Sequence, residues 1–235
     1  MKSPALFLIP VPLGDTGHRR VLPEYNLDVI REIRHFVVEN VRSARRFLKK
    51  ADPSIMIADL TFYELNGHTP PEALADFLEP LARGESVGVM SEAGCPAIAD
   101  PGAEVVALAH RRGFRVVPLA GPSSILMALM ASGFNGQRFA FHGYLPLDAS
   151  AQAERIRAME ARIYSQNETQ IFIETPYRND KLMADLVRVC RPLTKLCVAS
   201  GITCEDEWIR TLTVRDWKNR MPELNKKPAL FLLYK

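Results

Sequence analysis

The sequence predicts an α/β fold built as two domains, and three observations lead to that prediction. First, short apolar runs alternate with segments of helical hydrophobic spacing, a pattern typical of parallel strands covered by helices. The runs are centred on Leu6, Phe36, Phe62, Val87, Val116 and Phe139. Second, several runs end in loops rich in glycine and proline, at the edge where parallel sheets bind ligands. Third, a polar run at 148–153 separates this region from the rest. We expect an N-terminal α/β domain at 1–146 with a mostly parallel sheet and a C-terminal α/β domain at 147–235 with a mixed sheet.

Composition narrows the class of protein. The chain has 235 residues, 47% of them apolar, which is enough for a full hydrophobic core. A net charge of +3 does not by itself indicate a nucleic-acid partner, although a local basic patch can provide one. The cysteines show no C-x-x-C spacing and the histidines are isolated, so we expect no disulfide framework and no metal site. The apolar run at 5–9 is too short for a signal peptide or a membrane span, so we expect a cytoplasmic protein.

The loop at 91–102 is the candidate centre of a binding site. A buried strand at 86–90 turns polar at Ser91 and Glu92, and glycines and prolines then stiffen the chain up to Gly102. Asp100 and Pro101 have an ordinary explanation, as the N-cap and the first residue of the next helix, and for Asp100 taken alone we favour it. The length and stiffness of the whole loop favour a site.

The other elements of the first domain follow in order. A strand at 5–9 opens into the loop Pro10–Asp15, and the polar segment 17–26 is interpreted as a substrate-side flap. A second strand at 35–38 ends at Glu39, again at the ligand edge of a parallel sheet. Ser123 or Ser124 is a natural N-cap for the apolar helix that follows. Helices are predicted at 27–33, 42–50, 70–83, 103–112 and 125–131.

The helix at 42–50 carries a basic face. Five cations fall at helical spacing, namely Arg42, Arg45, Arg46, Lys49 and Lys50. Such a face is either a solvated surface or a track for nucleic-acid phosphates, and its start at a strand-end loop favours the second interpretation. We therefore name Arg42, Arg45, Arg46 and Lys49 as candidate RNA contacts.

The second domain begins with an amphipathic helix at 151–164. A buried strand at 169–173 ends in Glu174, which is costly to bury without a partner, and Arg178 is the obvious candidate for that partner. A strand at 196–199, an edge strand at 208–213 and a closing strand at 228–234 complete a mixed sheet.

Several of these loops resemble one family. Residues 91–102, S-E-A-G-C-P-A-I-A-D-P-G, resemble the motif S-D-A-G-x-P-x-I-x-D-P-G of the ribosomal RNA small-subunit methyltransferase I family. That family belongs to the S-adenosylmethionine-dependent tetrapyrrole methylase superfamily. Weaker matches run in the correct order from Pro10 to Tyr234, and His68 falls where the family carries a loop histidine. The chain departs from the family at Val11, Asn40, Val41, Ser200 and Gly201.

The resemblance implies two α/β domains with S-adenosylmethionine in the cleft between them, and a homodimer. Its cofactor contacts fall on Pro12, Glu92, Gly94, Ile98, Ser123, Ser124, Glu174, Thr175, Ser200, Pro228 and Ala229. Methyl transfer requires no metal, because in-line displacement depends mainly on positioning. A group that removes the proton from an accepting hydroxyl would help, and Glu39 and His68 are the candidates.

Three functions remain open at this point. The first is methylation of a ribose 2′-hydroxyl of small-subunit ribosomal RNA, which the basic helix favours. The second is methylation of a tetrapyrrole or another small metabolite, because the departures from the family lie in strand-end loops. The third is a relative that binds nucleotides or RNA without catalysis.

Overall fold

The computed structural model describes residues 3–235, which divide into two compact units, one ending at Ser123 and the other spanning Ser124–Lys235. This boundary lies upstream of the one expected at 146. The strand Phe139–Tyr144 (β6) pairs in parallel with Thr169–Ile173 (β7), and the helix Ala149–Gln166 (α8) connects them. The polar run at 148–153 is therefore the start of α8, where Asp148 caps the helix. Strands and helices alternate on both sides of Ser123, so the boundary between the units could not be predicted from this alternation.

Within residues 3–235, the first unit contains a five-stranded parallel sheet with the strand order β3-β2-β4-β1-β5. Its strands are Leu6–Leu8 (β1), His35–Val38 (β2), Thr61–Glu64 (β3), Val87–Met90 (β4) and Val116–Pro118 (β5). Every residue of β4 is buried, because a parallel sheet is covered on both faces. The strands point the same way, so their carboxyl ends meet at one edge, as the sequence predicts.

Helices cover both faces of this sheet. They are His18–Val21 (α1), Glu24–Glu32 (α2), Val41–Ala51 (α3), Leu74–Phe77 (α4), Glu79–Ala82 (α5) and Ala103–Arg111 (α6). Alternate residues of β2 face opposite sides: Phe36 packs in a cluster with Ile30 of α2 and Leu48 of α3, whereas Val37 packs in a cluster with Val105 of α6.

Two predicted segments differ in the structure. The helix predicted at 70–83 is divided into a 3₁₀ turn at Pro71–Ala73 and the short helices α4 and α5. Pro80 has no N–H to continue a helix through this point, so the chain restarts there. The segment 17–26 is helical over most of its length, since it contains α1 and the start of α2. The basic helix is confirmed as α3, and the Asn40 side chain caps it by accepting two backbone N–H groups at 2.9 and 3.1 Å.

Residues 124–235 form a mixed sheet with the strand order β6-β7-β10-β8-β9. Its remaining elements are Ser124–Ser132 (α7), Asn179–Val189 (α9), Lys195–Ser200 (β8), Trp208–Thr213 (β9), Val214–Trp217 (α10) and Ala229–Tyr234 (β10). The closing strand β10 pairs antiparallel with β7 and β8 at the centre, and β9 is an edge strand, as predicted. The core contains the stacked rings of Phe172 and Phe231, and Trp217 donates through Nε1–H to the Leu196 carbonyl at 2.9 Å. Among the helices of residues 3–235, none has both the length and the apolar character that crossing a bilayer requires.

Candidate active site at the strand ends

Hydrogen bonds tie three strand-end loops of the first unit together. The loops after β1 and β4 form an antiparallel bridge, in which Val11 and Gly94 exchange N–H···O=C bonds of 2.9 and 3.1 Å. The Cys95 thiol donates to the Pro122 carbonyl, in the loop after β5, at 3.4 Å. Gly94 has a φ of +74°, and a Cβ there would lie 3.1 Å from a leucine side chain, so this close approach requires glycine. Pro12 and Gly94, both predicted cofactor residues, lie in the two bridged loops.

The loop at 91–102 is held in a strained conformation. Ala97 and Ala99 have φ values of +66° and +62°, in the left-handed region that alanine rarely adopts. Such residues cost roughly 1 kcal/mol or more each and persist only where the surrounding structure enforces them, which is common at binding sites. Between them, Ile98 is 52% exposed. The loop is therefore stiff, as predicted, because the surrounding structure holds its backbone in an unfavourable conformation. In this conformation the Ile98 side chain is exposed to solvent.

The ordinary explanation of Asp100 and Pro101 is wrong. Helix α6 begins at Ala103, its N-cap is Gly102, and no side chain caps it. The glycine has a φ of +131°, so the chain turns at Gly102 rather than at Asp100. The Asp100 carboxyl is therefore not used as a helix cap.

Three carboxyl groups interact at the ends of β2 and β4: Glu39, Glu92 and Asp100. Burial raises the pKa of Glu39, the charges of Asp100 and Glu92 raise it further, and a hydrogen bond from the Glu92 backbone opposes them. Burial also raises the pKa of Asp100, a hydrogen bond from the Ser91 side chain opposes this, and the charge of Glu92 again raises it. The Ser43 hydroxyl, at the start of α3, donates to Glu92 Oε1 at 2.6 Å. The site concentrates negative charge that a bound cation can neutralise.

The two candidates for a proton acceptor lie in different surroundings. Glu39 directly follows β2 and is part of the carboxyl group cluster. His68 lies in the exposed loop after β3, where its backbone N–H donates to Asn66 Oδ1 at 2.9 Å. Among the described residues, no hydrogen bond or ion pair engages the His68 imidazole. The structure brings Glu39, and not His68, to the other predicted site residues.

The cations of α3 differ in their availability. Arg45 lies over the Phe62 ring at 5.3 Å, and Lys49 Nζ donates to the Pro53 carbonyl at 2.9 Å. Lys50 pairs with Asp15 at 2.8 Å. Arg42 and Arg46 are exposed and make no side-chain hydrogen bond or ion pair within residues 3–235. Three cations of the predicted basic face thus contact other residues of the chain, and its other two, Arg42 and Arg46, are available to bind a ligand.

In the second unit, the predicted cofactor residues are largely satisfied by their own chain. Glu174 is buried and pairs with Arg178 at 2.9 Å, which confirms the partner expected from the sequence. Its Oε1 also accepts the Thr175 N–H at 2.7 Å. Ser200 Oγ donates to the Pro228 carbonyl at 3.0 Å, and Ala229 pairs with Ser200 in the β8–β10 ladder. Ser124 is the first residue of α7 and directly follows Ser123, the last residue of the first unit.

Sequence reasoning missed one strained residue in this second group. Thr203 has a φ of +70°, which is a genuine outlier for a β-branched residue, and its hydroxyl is buried. Within residues 3–235 that hydroxyl has no hydrogen-bond partner. The Glu207 side chain fixes the turn by accepting the Thr203 N–H at 2.7 Å. The sequence around Thr203 contains no signal from which this backbone strain could have been predicted.

Comparisons with known proteins agree with this architecture. Residues 6–217 match the model of the tetrapyrrole (corrin/porphyrin) methylases. The chain is 30% identical over 220 residues to the ribosomal RNA small subunit methyltransferase I of Pseudomonas aeruginosa, covering 92% of this chain and 74% of that protein. It is 28% identical over 214 residues to the Vibrio cholerae protein of the same name, covering 91% of this chain and 70% of that protein.

Solved structures show the same fold at lower identity. The methyltransferase CobJ aligns with a TM-score of 0.65 at 16% identity, covering 99% of this chain and 95% of that one. The uroporphyrin-III C-methyltransferase of Thermus thermophilus, in complex with S-adenosyl homocysteine, aligns with a TM-score of 0.61 at 16% identity, covering 98% and 97%. The α/β architecture predicted from the sequence is confirmed.

Proposed function

Because this chain belongs to the family of tetrapyrrole (corrin/porphyrin) methylases, we propose that it methylates a ribose 2′-hydroxyl of small-subunit ribosomal RNA. The chain is an S-adenosylmethionine-dependent methyltransferase, as the sequence predicts. The choice of acceptor rests on one observation: relatives that align with about nine tenths of this chain carry the name ribosomal RNA small subunit methyltransferase I. Arg42 and Arg46 support the choice, because free guanidinium groups are suited to RNA phosphates.

The residues of the first unit fit the methyl donor by charge. When bound, S-adenosylmethionine supplies an electrophilic methyl carbon on a positively charged sulfur. The carboxyl groups of Glu39, Glu92 and Asp100 repel one another, and a nearby cation relieves that repulsion. The exposed Ile98 offers an apolar contact beside them. We assign the donor to Pro12, Glu92, Gly94, Ile98 and Ser123 in this unit.

The second unit would contribute mainly through its backbone. We assign Ser124, Glu174, Thr175, Ser200, Pro228 and Ala229 to the same donor. The side chains of Glu174 and Ser200 are already bonded within the unit, so we expect its carbonyl oxygens, each of which can accept a second hydrogen bond, to serve as ligands there. Recognition through peptide groups tolerates changes of side chain, including those at Ser200 and Gly201.

Glu39 is our choice for the group that accepts the proton of the 2′-hydroxyl. A general base works best when its pKa lies near the working pH, and the raised pKa of Glu39 moves it in that direction. The hydrogen bond from the Glu92 backbone orients the Glu39 carboxylate within the site.

The departures from the family give the metabolite alternative little support. Val11 bridges Gly94 through backbone groups alone, so the bridge does not depend on which side chain occupies that position. Asn40 keeps a capping function on α3, and Ser200 bonds to the Pro228 carbonyl. These substitutions are accommodated by local structure and do not indicate a different acceptor.

The test uses labelled S-adenosylmethionine with purified, unmodified small ribosomal subunits. We expect label in the ribosomal RNA, in a dinucleotide that resists alkaline cleavage, because a 2′-O-methyl group removes the hydroxyl that alkali requires. Label recovered only in mononucleotides after alkaline cleavage would exclude the ribose 2′-hydroxyl as the acceptor. Transfer to a porphyrinoid offered in parallel, with none to RNA, would establish the metabolite alternative. Binding of the donor without transfer to either would establish the non-catalytic one.

We further propose that the protein is a cytoplasmic homodimer. Large apolar side chains of the second unit are exposed, among them Met130 at 82% and Leu147 at 75%. A contiguous exposed apolar patch often marks a surface between subunits, and these side chains are our candidates for one. Sedimentation equilibrium should give twice the monomer mass, and a monomer at micromolar concentration would exclude the dimer.

A further inference from the structure

A pocket of about 480 Å³ lies in the first unit, beside the carboxyl group cluster. One side is the loop Val11–Thr16 together with His18, and the other is a single face of α3. That face consists of Ser43, Arg46, Phe47 and Lys50, which follow one another at helical spacing. The volume lies within the range of small-molecule sites.

The polar groups of this pocket have capacity for a ligand. Arg46 makes no side-chain hydrogen bond or ion pair among the described residues. Lys50 is paired with Asp15, but both side chains are more than half exposed, and such exposed pairs contribute little to stability. An anion can therefore take Lys50 from Asp15 at little cost. The two cations stand one turn apart on the same face of α3.

His18 adds a second, independent indication. Its Nε2 is buried and has no hydrogen-bond partner within residues 3–235. Burial lowers the pKa of His18, and the charges of Arg19 and Lys50 lower it further, so the neutral form of the ring is favoured. A neutral imidazole offers one donor and one acceptor, which suits the uncharged polar edge of a base or a ribose hydroxyl.

The remaining wall of the pocket combines apolar surface with the Thr16 hydroxyl and the carboxylates of Asp15 and Glu92. Val11, Pro12, Leu13 and Phe47 supply aliphatic and aromatic surface. A ligand that combines a flat apolar body, an uncharged polar edge and a phosphate matches these three properties together. We propose that the pocket is a subsite for one nucleotide of the acceptor, with its phosphate on Arg46 and Lys50 and its base or ribose bonded to His18. This inference deepens the RNA function proposed above and rests on it for the identity of the polymer.

Pro12 and Glu92 line the pocket as well, and both are assigned to the methyl donor. The competing interpretation is that the pocket is part of the donor site. The binding experiment is therefore carried out with the full chain saturated with S-adenosylhomocysteine, which fills the donor site. The probes are the four nucleoside 5′-monophosphates and the corresponding nucleosides. Their binding is measured by nuclear magnetic resonance titration at low salt.

We expect at least one nucleoside monophosphate to bind the saturated protein, and its nucleoside to bind at least tenfold more weakly. Arg46→Gln should weaken binding of the monophosphate about tenfold. His18→Phe keeps a ring and removes the nitrogens, and should weaken it about threefold or more. Arg111→Gln, an exposed arginine on α6, is the matched control and should have no effect. Failure of every monophosphate to bind, equal binding by Arg46→Gln, or displacement by S-adenosylhomocysteine would each overturn the subsite.

The same variants separate this inference from the proposed function. If wild type methylates small subunits, Arg46→Gln should raise KM for subunits about tenfold with kcat nearly unchanged. An unchanged KM would reject the subsite and leave the RNA function intact. If wild type does not methylate RNA but binds a monophosphate through Arg46, the proposed acceptor is wrong and the nucleotide site stands.

Discussion

The strand-end loops of the two units differ in the charges that surround their carboxyl groups. In the first unit, Glu39 and Asp100 are held near other carboxyl groups, and their pKa values are raised. In the second unit, Glu174 is paired with Arg178, and Ser200 is bonded to the Pro228 carbonyl. Like charges lie close together in the first unit, whereas in the second unit an opposite charge matches the buried carboxylate, and this difference indicates a division of labour. The first unit keeps side chains available for ligands and chemistry, whereas the second uses them to hold its loops.

Breaking the ion pair of the second unit should have the largest effect on stability. Arg178→Ala leaves the Glu174 carboxylate, whose side chain is 2% exposed, without its partner. Removing one partner of a buried pair typically costs about 3–5 kcal/mol, and the partial exposure of Arg178 places this case near the lower end. Urea denaturation measures the loss.

The matched control is Arg188→Ala, which removes a more exposed arginine paired with Asp185. Its cost should be below about 1 kcal/mol. If the two variants lose the same stability, Glu174 does not depend on Arg178, and the contrast between the units is wrong.

Changing the first unit should instead affect catalysis. Glu39→Gln keeps the size of the side chain and an acceptor for the Glu92 N–H, but it removes the basic carboxylate. A positioned general base contributes about 10²-fold or more, so kcat for methyl transfer should fall about a hundredfold. Calorimetry should show that S-adenosylhomocysteine still binds within about threefold of wild type.

Glu32→Gln provides the control, since Glu32 ends α2 at the surface. It should leave kcat unchanged. A Glu39→Gln enzyme with full activity would remove Glu39 from the reaction and leave the proton acceptor to be found elsewhere.

Backbone strain in the loop at 91–102 gives a third, smaller test. Ala99 is exposed and has a φ of +62°, so Ala99→Gly should relieve the strain and stabilise the protein by about 0.5–1 kcal/mol. Ala131→Gly, at an exposed position of α7, should destabilise by about 1 kcal/mol, because glycine is a poor helix former. Denaturation midpoints of both variants check the signs. If both changes destabilise, the conformation of Ala99 is not strained.

The sequence predicts the strands of the first unit well, because a strand that is buried on both faces has a continuous apolar sequence. The runs at Phe36 and Val87 are apolar since helices cover the sheet on each side, and the motif at 91–102 lies at the strand end where parallel sheets bind ligands. The Glu174–Arg178 pair was also predictable, because the two residues are only four positions apart in the sequence.

Features set by packing between distant segments were not predictable. Glu39 and Asp100 interact only because β2 and β4 are neighbours in the sheet. No local sequence pattern predicts which strands are neighbours. The division of the basic face depends on how α3 is rotated against β3, which brings Arg45 over Phe62. The cap at Gly102 was missed because Asp100 and Pro101 form a good local cap signal, and the tertiary structure of the loop overrides it.

The smallest predicted effect is the pH dependence of stability at the carboxyl group cluster. The pKa of Glu39 is raised above its ordinary value of 4.5, so the folded protein holds this proton more tightly than the unfolded chain. The resulting stabilisation is complete below pH 4.5 and is lost as the pH rises through the raised pKa. Glu39→Gln lacks this titration, so its stability relative to wild type should increase with pH from about 4.5 and level off near neutrality. The gain should stay below about 1 kcal/mol, because the site is partly open to solvent, and it should shrink at high salt. Urea denaturation of both proteins between pH 4 and 8 gives the difference, in which other titrating groups such as His18 cancel. A difference that is flat, or that falls as the pH rises, would show that Glu39 is not held against its neighbours, and the contrast between the two units would then lose its electrostatic basis.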